Sequence, residues 1–154
     1  MTDIVDANAV IPALKVGSKK QALQELSARA SALTGLPARR IFDVLLERER
    51  LGSTGMGRGI AIPHGKLAGL DRVHAVFARL ERGVDFDAID GQPVDLVMVL
   101  LAPEQHGADH LRALAKVSRM LRNDALTGKI RGCETADAIV ALMSDQTAGT
   151  AVAA

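Results

Sequence analysis

The sequence is poor in aromatic residues: 2% of its 154 positions, three Phe with neither Trp nor Tyr. Flat stacking platforms for single-stranded nucleic acid, and most sugar-stacking sites, are thereby excluded. Cysteine occurs once, at Cys133, so no intrachain disulfide can form and no thiolate-rich zinc or iron–sulfur site can be assembled. That usage points to a reducing compartment. Neither sign of charge dominates: 19 Lys and Arg face 18 Asp and Glu, a net charge of +1, which leaves no global field to gather polyanions or to dock on anionic lipid. The longest uninterrupted apolar run is Leu96 to Ala102, far short of the roughly 20 residues that cross a bilayer. The opening MTDIVDANAV also lacks a basic and then apolar signal. These absences predict a cytoplasmic protein with no nucleic-acid role and no stable membrane insertion.

What is present is the balance of one compact domain, 48% hydrophobic and 24% charged. A chain of this length buries roughly 68–70% of its unfolded surface, so it needs neither a disulfide nor a metal for stability, and no cofactor is implied. Residues 1–147 are read as a single domain. The small, uncharged end of the chain, 148–154, is read as a disordered tail.

Ser18-Lys19-Lys20-Gln21 fits a capping box, and Leu23, Leu26, Ala30 and Leu33 follow at helical spacing, predicting a helix over 19–33. A second helix opens at Pro37, where a missing N–H costs nothing, and stops near Gly52, with Ile41, Leu45 and Arg48 as its inward stripe. Three strand-like runs follow, Gly59 to Ile62, Val73 to Leu80 and Val94 to Leu101, the last apolar enough to be covered on both faces. RGVDFDAIDGQP, between the second and third, reads as a loop or hairpin connection. A third helix is expected from Ala108 to Asn123, with His110, Leu114, Val117 and Leu121 on one face. Asp124 to Arg131 is ambiguous, and Thr135 caps a last helix carrying Ile139, Leu142 and Met143. Mixed strands and helices in this order predict an α/β sandwich.

The chemistry concentrates between Gly52 and Lys66. Gly65-Lys66 is followed by Leu67 rather than Ser or Thr, which breaks the nucleotide-loop pattern, and the glycines do not space as a dinucleotide fingerprint. Gly52, Ser53, Thr54 and Gly55 form either a tight helix-to-strand turn or a cradle of N–H and hydroxyl donors for an anion. Pro63 should end the strand of Ile60 and Ile62, leaving His64 exposed at its exit beside Gly65. A neutral imidazole there is either an idle surface group or a lone pair able to attack phosphorus or bind metal. His106 and His110 lie four apart, with Asp109 between them, the spacing of a possible metal pair. His110 also lies on the apolar stripe, where a packed histidine is the commoner outcome, and no metal is predicted. Arg48 is either a snorkelling side chain or a guanidinium held for an anion. Glu47, Glu49 and Arg50 read as solvated helix surface, His74 as structural, and Asp85 and Asp87 as turn residues without chemistry.

Arg48-Glu49-x-Leu51-Gly52-Ser53-Thr54-Gly55, followed by Gly59-Ile60-Ala61-Ile62-Pro63-His64-Gly65-Lys66, resembles the enzyme IIA domains of the mannitol/fructose class of the bacterial phosphotransferase system. Phe86-Asp87-Ala88-Ile89-Asp90-Gly91-Gln92-Pro93-Val94-Asp95 and His110-Leu111 extend the likeness, which covers about residues 5 to 145 and is strongest toward the nitrogen-regulatory branch, IIA-Ntr. The resemblance implies one enzyme IIA type-2 domain, a small mixed sheet flanked by helices in a phosphotransferase/anion-transport-like sandwich. It implies that His64 accepts a phosphoryl group from an HPr-type phosphocarrier or its nitrogen-branch paralogue. By the same likeness His110 orients and supports His64, Arg48 stabilises the phosphoryl charge, and Gly52 to Gly55 form the phosphoryl-binding loop. The expected function is a regulatory phosphocarrier, since the chain shows no transporter segment and no fused IIB or IIC domain. The alternatives are a fructose- or mannitol-uptake subunit that passes phosphate to a IIB domain, and a non-catalytic anion-binding regulatory module.

Overall fold

The structure is a computed structural model that describes residues 5–105 and 107–153, with side chains described as far as residue 144. His106 and the side chains of the 148–154 tail lie outside the described residues. Five α-helices and six strands are described: β1 (Val10–Leu14), α1 (Lys19–Thr34), α2 (Ala38–Arg50), β2 (Gly55–Gly57), β3 (Ile60–Ala61), β4 (His64–Leu67), β5 (His74–Val84), β6 (Val94–Pro103), α3 (Gly107–Leu121), α4 (Asp124–Arg131) and α5 (Ala136–Ala153).

Local chemistry explains the helix ends. The Ser18 hydroxyl accepts the Gln21 N–H at 3.1 Å, and Gly35 closes α1 in the left-handed region at φ 80°. Pro37 stands just outside α2 as its N-cap rather than as its first helical residue. The ambiguous stretch Asp124–Arg131 is helical because the Asn123 side-chain Oδ1 accepts the Leu126 N–H at 3.2 Å, and the Thr135 hydroxyl receives the Ala138 N–H at 3.2 Å to start α5.

The sheet is mixed, in the order β1-β5-β6-β3-β2, and β4 also pairs with β6. β6 is central. It runs antiparallel to β5 and parallel to both β3 and β4, which succeed one another along its edge with Ile62 and Pro63 between them. The strand alternation divides the core. Val97, Val99 and Leu101 of β6 face α1 and α2 with Leu23, Leu26, Ile41 and Leu45, while Leu96, Met98 and Leu100 face Val117, Leu121, Ile130 and Ile139 of the other three helices. The expected α/β sandwich is what forms.

Three strands lie outside the sequence expectation: β1, β4 and the short β2, which pairs with β3. β1 contains Pro12 yet pairs with β5 because an edge strand tolerates a residue without an N–H. Pro63 does not leave His64 beyond the sheet: the Pro63 carbonyl accepts the Leu100 N–H at 2.9 Å, and the chain resumes at His64 as β4, which pairs with Leu100 to Pro103.

Candidate functional site

His64 is the first residue of β4, and its ring is half-buried rather than exposed, because continued pairing with β6 keeps it beside α2 and α3. Its Nδ1 lies 2.8 Å from the Ile62 carbonyl oxygen. A carbonyl only accepts, so Nδ1 carries the proton and Nε2 carries the lone pair. Arg48 donates its Nε–H to that Nε2 at 3.3 Å and its Nη1–H to the Gly52 carbonyl at 2.8 Å. The guanidinium expected at the core edge is thus tied at one end to the loop after α2 and at the other to the imidazole.

His110 enters from α3. Its ring stands edge-on to that of His64, with centroids 5.5 Å apart and planes at 66°. It is 7% exposed, and its buried Nε2 has no hydrogen-bond partner among the described residues. Burial lowers its pKa below the ordinary imidazole value, and the neighbouring His64 and Lys66 lower it further. Lys66 closed the motif in the sequence but was given no role there. Its ammonium lies 3.6 Å from where a β-carbon on Gly107 would sit, at the first turn of α3. A guanidinium thus meets the His64 ring, while an ammonium stands at the first turn of α3 and acts on the adjoining His110, a setting that favours an anion.

Gly65 lets this happen. A β-carbon there would approach Val44 Cγ1 of α2 to 2.4 Å, so only glycine admits α2, and with it Arg48, this close to β4.

The Gly52 to Gly55 segment is arranged differently from an open cradle. Gly52 supplies its carbonyl to Arg48. The Ser53 hydroxyl donates to the Phe86 carbonyl at 2.5 Å and receives the Gly55 N–H at 3.0 Å. Thr54 is buried; its N–H donates to Glu49 Oε1 at 3.1 Å and its hydroxyl to Glu49 Oε2. The side-chain donors of Ser53 and Thr54, and the N–H groups of Thr54 and Gly55, are all directed into the protein in this conformation.

Glu49 corrects the sequence expectation. Its side chain is 3% exposed rather than solvated, and Lys19 Nζ lies 2.8 Å from its Oε1. The legible signal was spacing: Ile41, Leu45 and Glu49 follow each other at intervals of four and are the buried residues of α2. His74 opens β5, across β6 from β4, and takes no part in the site; burial and Arg72 lower its pKa. Asp85 accepts the Asp87 N–H at 2.9 Å, as turn residues do. No group of three or more metal-ligating side chains stands together among the described residues.

Residues 3–146 match the family model described as "Phosphoenolpyruvate-dependent sugar phosphotransferase system, EIIA 2". The chain belongs to the EIIA type-2 family. Curated relatives include a nitrogen regulatory protein of Bradyrhizobium diazoefficiens, 55% identical over 144 residues, covering 94% of each chain. The nitrogen regulatory protein of Escherichia coli is 41% identical over 134 residues, covering 86% of this chain and 82% of that one. Among solved structures, the nitrogen regulatory protein IIA-Ntr of Neisseria meningitidis superimposes with a TM-score of 0.86 at 34% identity, covering 91% of this chain and 96% of that one. The EIIA chain is accordingly a phosphotransfer component in the nitrogen-regulatory branch of its family. No described helix is long and apolar enough to cross a membrane.

Two exposed apolar residues flank the EIIA site: Leu51, 80% exposed, between α2 and Gly52, and Leu111, 68% exposed, directly after His110. Sequence reasoning assigned neither a role, because an isolated surface leucine is ordinary until its neighbours are known.

Proposed function

We propose that this chain is a regulatory phosphocarrier whose His64 takes a phosphoryl group onto Nε2 from a phosphorylated HPr-type protein. One observation carries the reading: the Ile62 carbonyl holds the proton on Nδ1, leaving the Nε2 lone pair facing the Arg48 guanidinium. In the transfer, the P–N bond of the donor breaks as a bond from phosphorus to His64 Nε2 forms. Each ring keeps a proton on the nitrogen that does not react, so no proton has to move through a separate base. The protein's work is to hold nucleophile and phosphorus in line and to neutralise the phosphoryl oxygens.

Arg48 stands where it can exchange its bond to the lone pair for bonds to those oxygens. His110, buried against His64 with an unsatisfied Nε2, offers a second polar contact to the ring or its phosphoryl group. Lys66 and the start of α3 add positive potential. The converted surface gains about −1.5 to −2 charges, enough to create or abolish docking of a regulated target. The names of the nitrogen regulatory relatives support placing this switch in nitrogen regulation.

The test is intact-protein mass after incubation with a phosphorylated HPr-type donor. Wild type should gain one phosphoryl group, about 80 Da, and His64→Ala none. Arg48→Gln should accept the group tens- to hundredfold more slowly, the loss of about 1.5–3 kcal/mol from a charged hydrogen bond. An unlabelled wild type sinks the reading, and rapid discharge to a IIB domain would place the chain in sugar uptake instead. Binding of phosphate-bearing metabolites that persists in His64→Ala, without labelling, would make it an anion-binding module.

A further inference from the structure

The FDAIDG segment and the acidic residue beside Arg48 have no role in the transfer described above, yet the structure joins them. Glu49 accepts both the N–H and the hydroxyl of Thr54, and its Oε1 takes the Lys19 ammonium at 2.8 Å. Lys19, on the first turn of α1, also lies 3.5 Å from the Phe86 carbonyl and 5.0 Å above the Phe86 ring. The same carbonyl receives the Ser53 hydroxyl. Ala88 backs against Gly55, where a β-carbon would come within 2.8 Å of its Cα, and the Ile89 N–H donates to the Gly55 carbonyl at 3.3 Å. These contacts of 86–89 fall on the loop after α2 or on Lys19, which anchors it.

That loop's first carbonyl, Gly52, is the one that holds Arg48 Nη1. Because Gly52 and Thr54 are two residues apart, a Thr54 fixed by two bonds leaves the Gly52 carbonyl little freedom, and the guanidinium between it and His64 is fixed at both ends. We propose that Lys19, Glu49 and Thr54 form a positioning unit that, through the Gly52 carbonyl, sets the aim of the Arg48 guanidinium on His64 Nε2. None of the three touches the reacting atoms; they act through Arg48. The chemistry suits the task. A carboxylate 3% exposed needs its charge met, and in this loop conformation one ammonium, one hydroxyl and one amide N–H meet it. The inference rests on the phosphocarrier reading for its kinetic consequence, whereas its structural content stands without it.

The experiment compares Thr54→Val, near-isosteric but without the hydroxyl, with Thr54→Ser, which keeps it, and with Glu49→Gln. Two readouts are taken on the intact chain: the single-turnover rate of phosphoryl acceptance, and the NMR signals of Arg48 Nε–H and His64 Nε2 in the unphosphorylated protein. Thr54→Val and Glu49→Gln should slow acceptance roughly tenfold or more. They should also shift the His64 Nε2 resonance and broaden Arg48 Nε–H by solvent exchange. Thr54→Ser should recover at least half of the wild-type rate and the native signals. Folded Thr54→Val with native rate and signals overturns the proposal. So does a slowed rate with unchanged Arg48 and His64 signals, or a Thr54→Ser as slow as Thr54→Val. Should Glu49→Gln fail to fold, the two Thr54 variants decide. Failure of the wild type to accept phosphate would remove the carrier reading, and the NMR comparison would still decide the positioning.

Discussion

The His64 ring is specified atom by atom: one nitrogen donates its N–H to a backbone carbonyl and the other faces a guanidinium. The second imidazole has the opposite character, since His110 is buried with a nitrogen that no described residue satisfies. Burial, His64 and Lys66 hold its pKa below that of an unfolded chain. The unfolded state therefore binds more protons than the folded state as pH falls through the ordinary histidine range, so stability is full above about pH 6.5 and declines below it. His74, lowered by burial and Arg72, acts in the same direction. Melting temperature should thus drop between pH 7.5 and pH 5.5, and His110→Gln should flatten the dependence without abolishing it. Parallel slopes for wild type and variant would show that His110 is not a source of the effect.

At the scale of elements, the site depends on how near α2 comes to β4. Val44 Cγ1 would stand 2.4 Å from a β-carbon on Gly65, so Gly65→Ala should destabilise the domain by about 1–3 kcal/mol in urea denaturation. Val44→Ala in the same chain should recover much of that loss, and failure to recover would show that the helix is not held off by this contact. Four helices were legible from apolar spacing, two of them also from a capping side chain: Ser18 with Leu23 and Leu26, the Ile41 and Leu45 stripe, the face from His110 to Leu121, and Thr135 with Ile139 and Met143. β6 was legible as a run without polar breaks, apart from Asp95. β1 and β4 were not, because each carries or follows a proline whose cost depends on which neighbour lacks a partner, and that is decided by the whole sheet. His64, Arg48 and His110 could be singled out by type and neighbours. Within the charged run Glu47 to Arg50, only its spacing of four from Leu45 set Glu49 apart, and the partners that explain its burial, Lys19 and Thr54, lie outside that run.

For the whole molecule, a net charge of +1 means that recognition of a partner rests on local surface rather than on a long-range field. Leu51 and Leu111, 80% and 68% exposed, flank the imidazole from α2 and α3. On the phosphocarrier proposal, a donor protein that brings its phosphohistidine to His64 would cover both. Leu51→Ser and Leu111→Ser should each raise the KM for the phosphorylated donor about fivefold while leaving kcat close to wild type. Unchanged KM in both variants would place the docking face elsewhere.

The division of the core by the sheet has one more result. Arg48 rides on a helix packed against Val97, Val99 and Leu101, whereas His110 rides on one packed against Leu96, Met98 and Leu100. The imidazole between them sits on the seam of two separately filled halves. A charged group seated there is gripped from both banks at once, so sliding of either half would be felt at a single nitrogen, and loading that nitrogen would rivet the halves together.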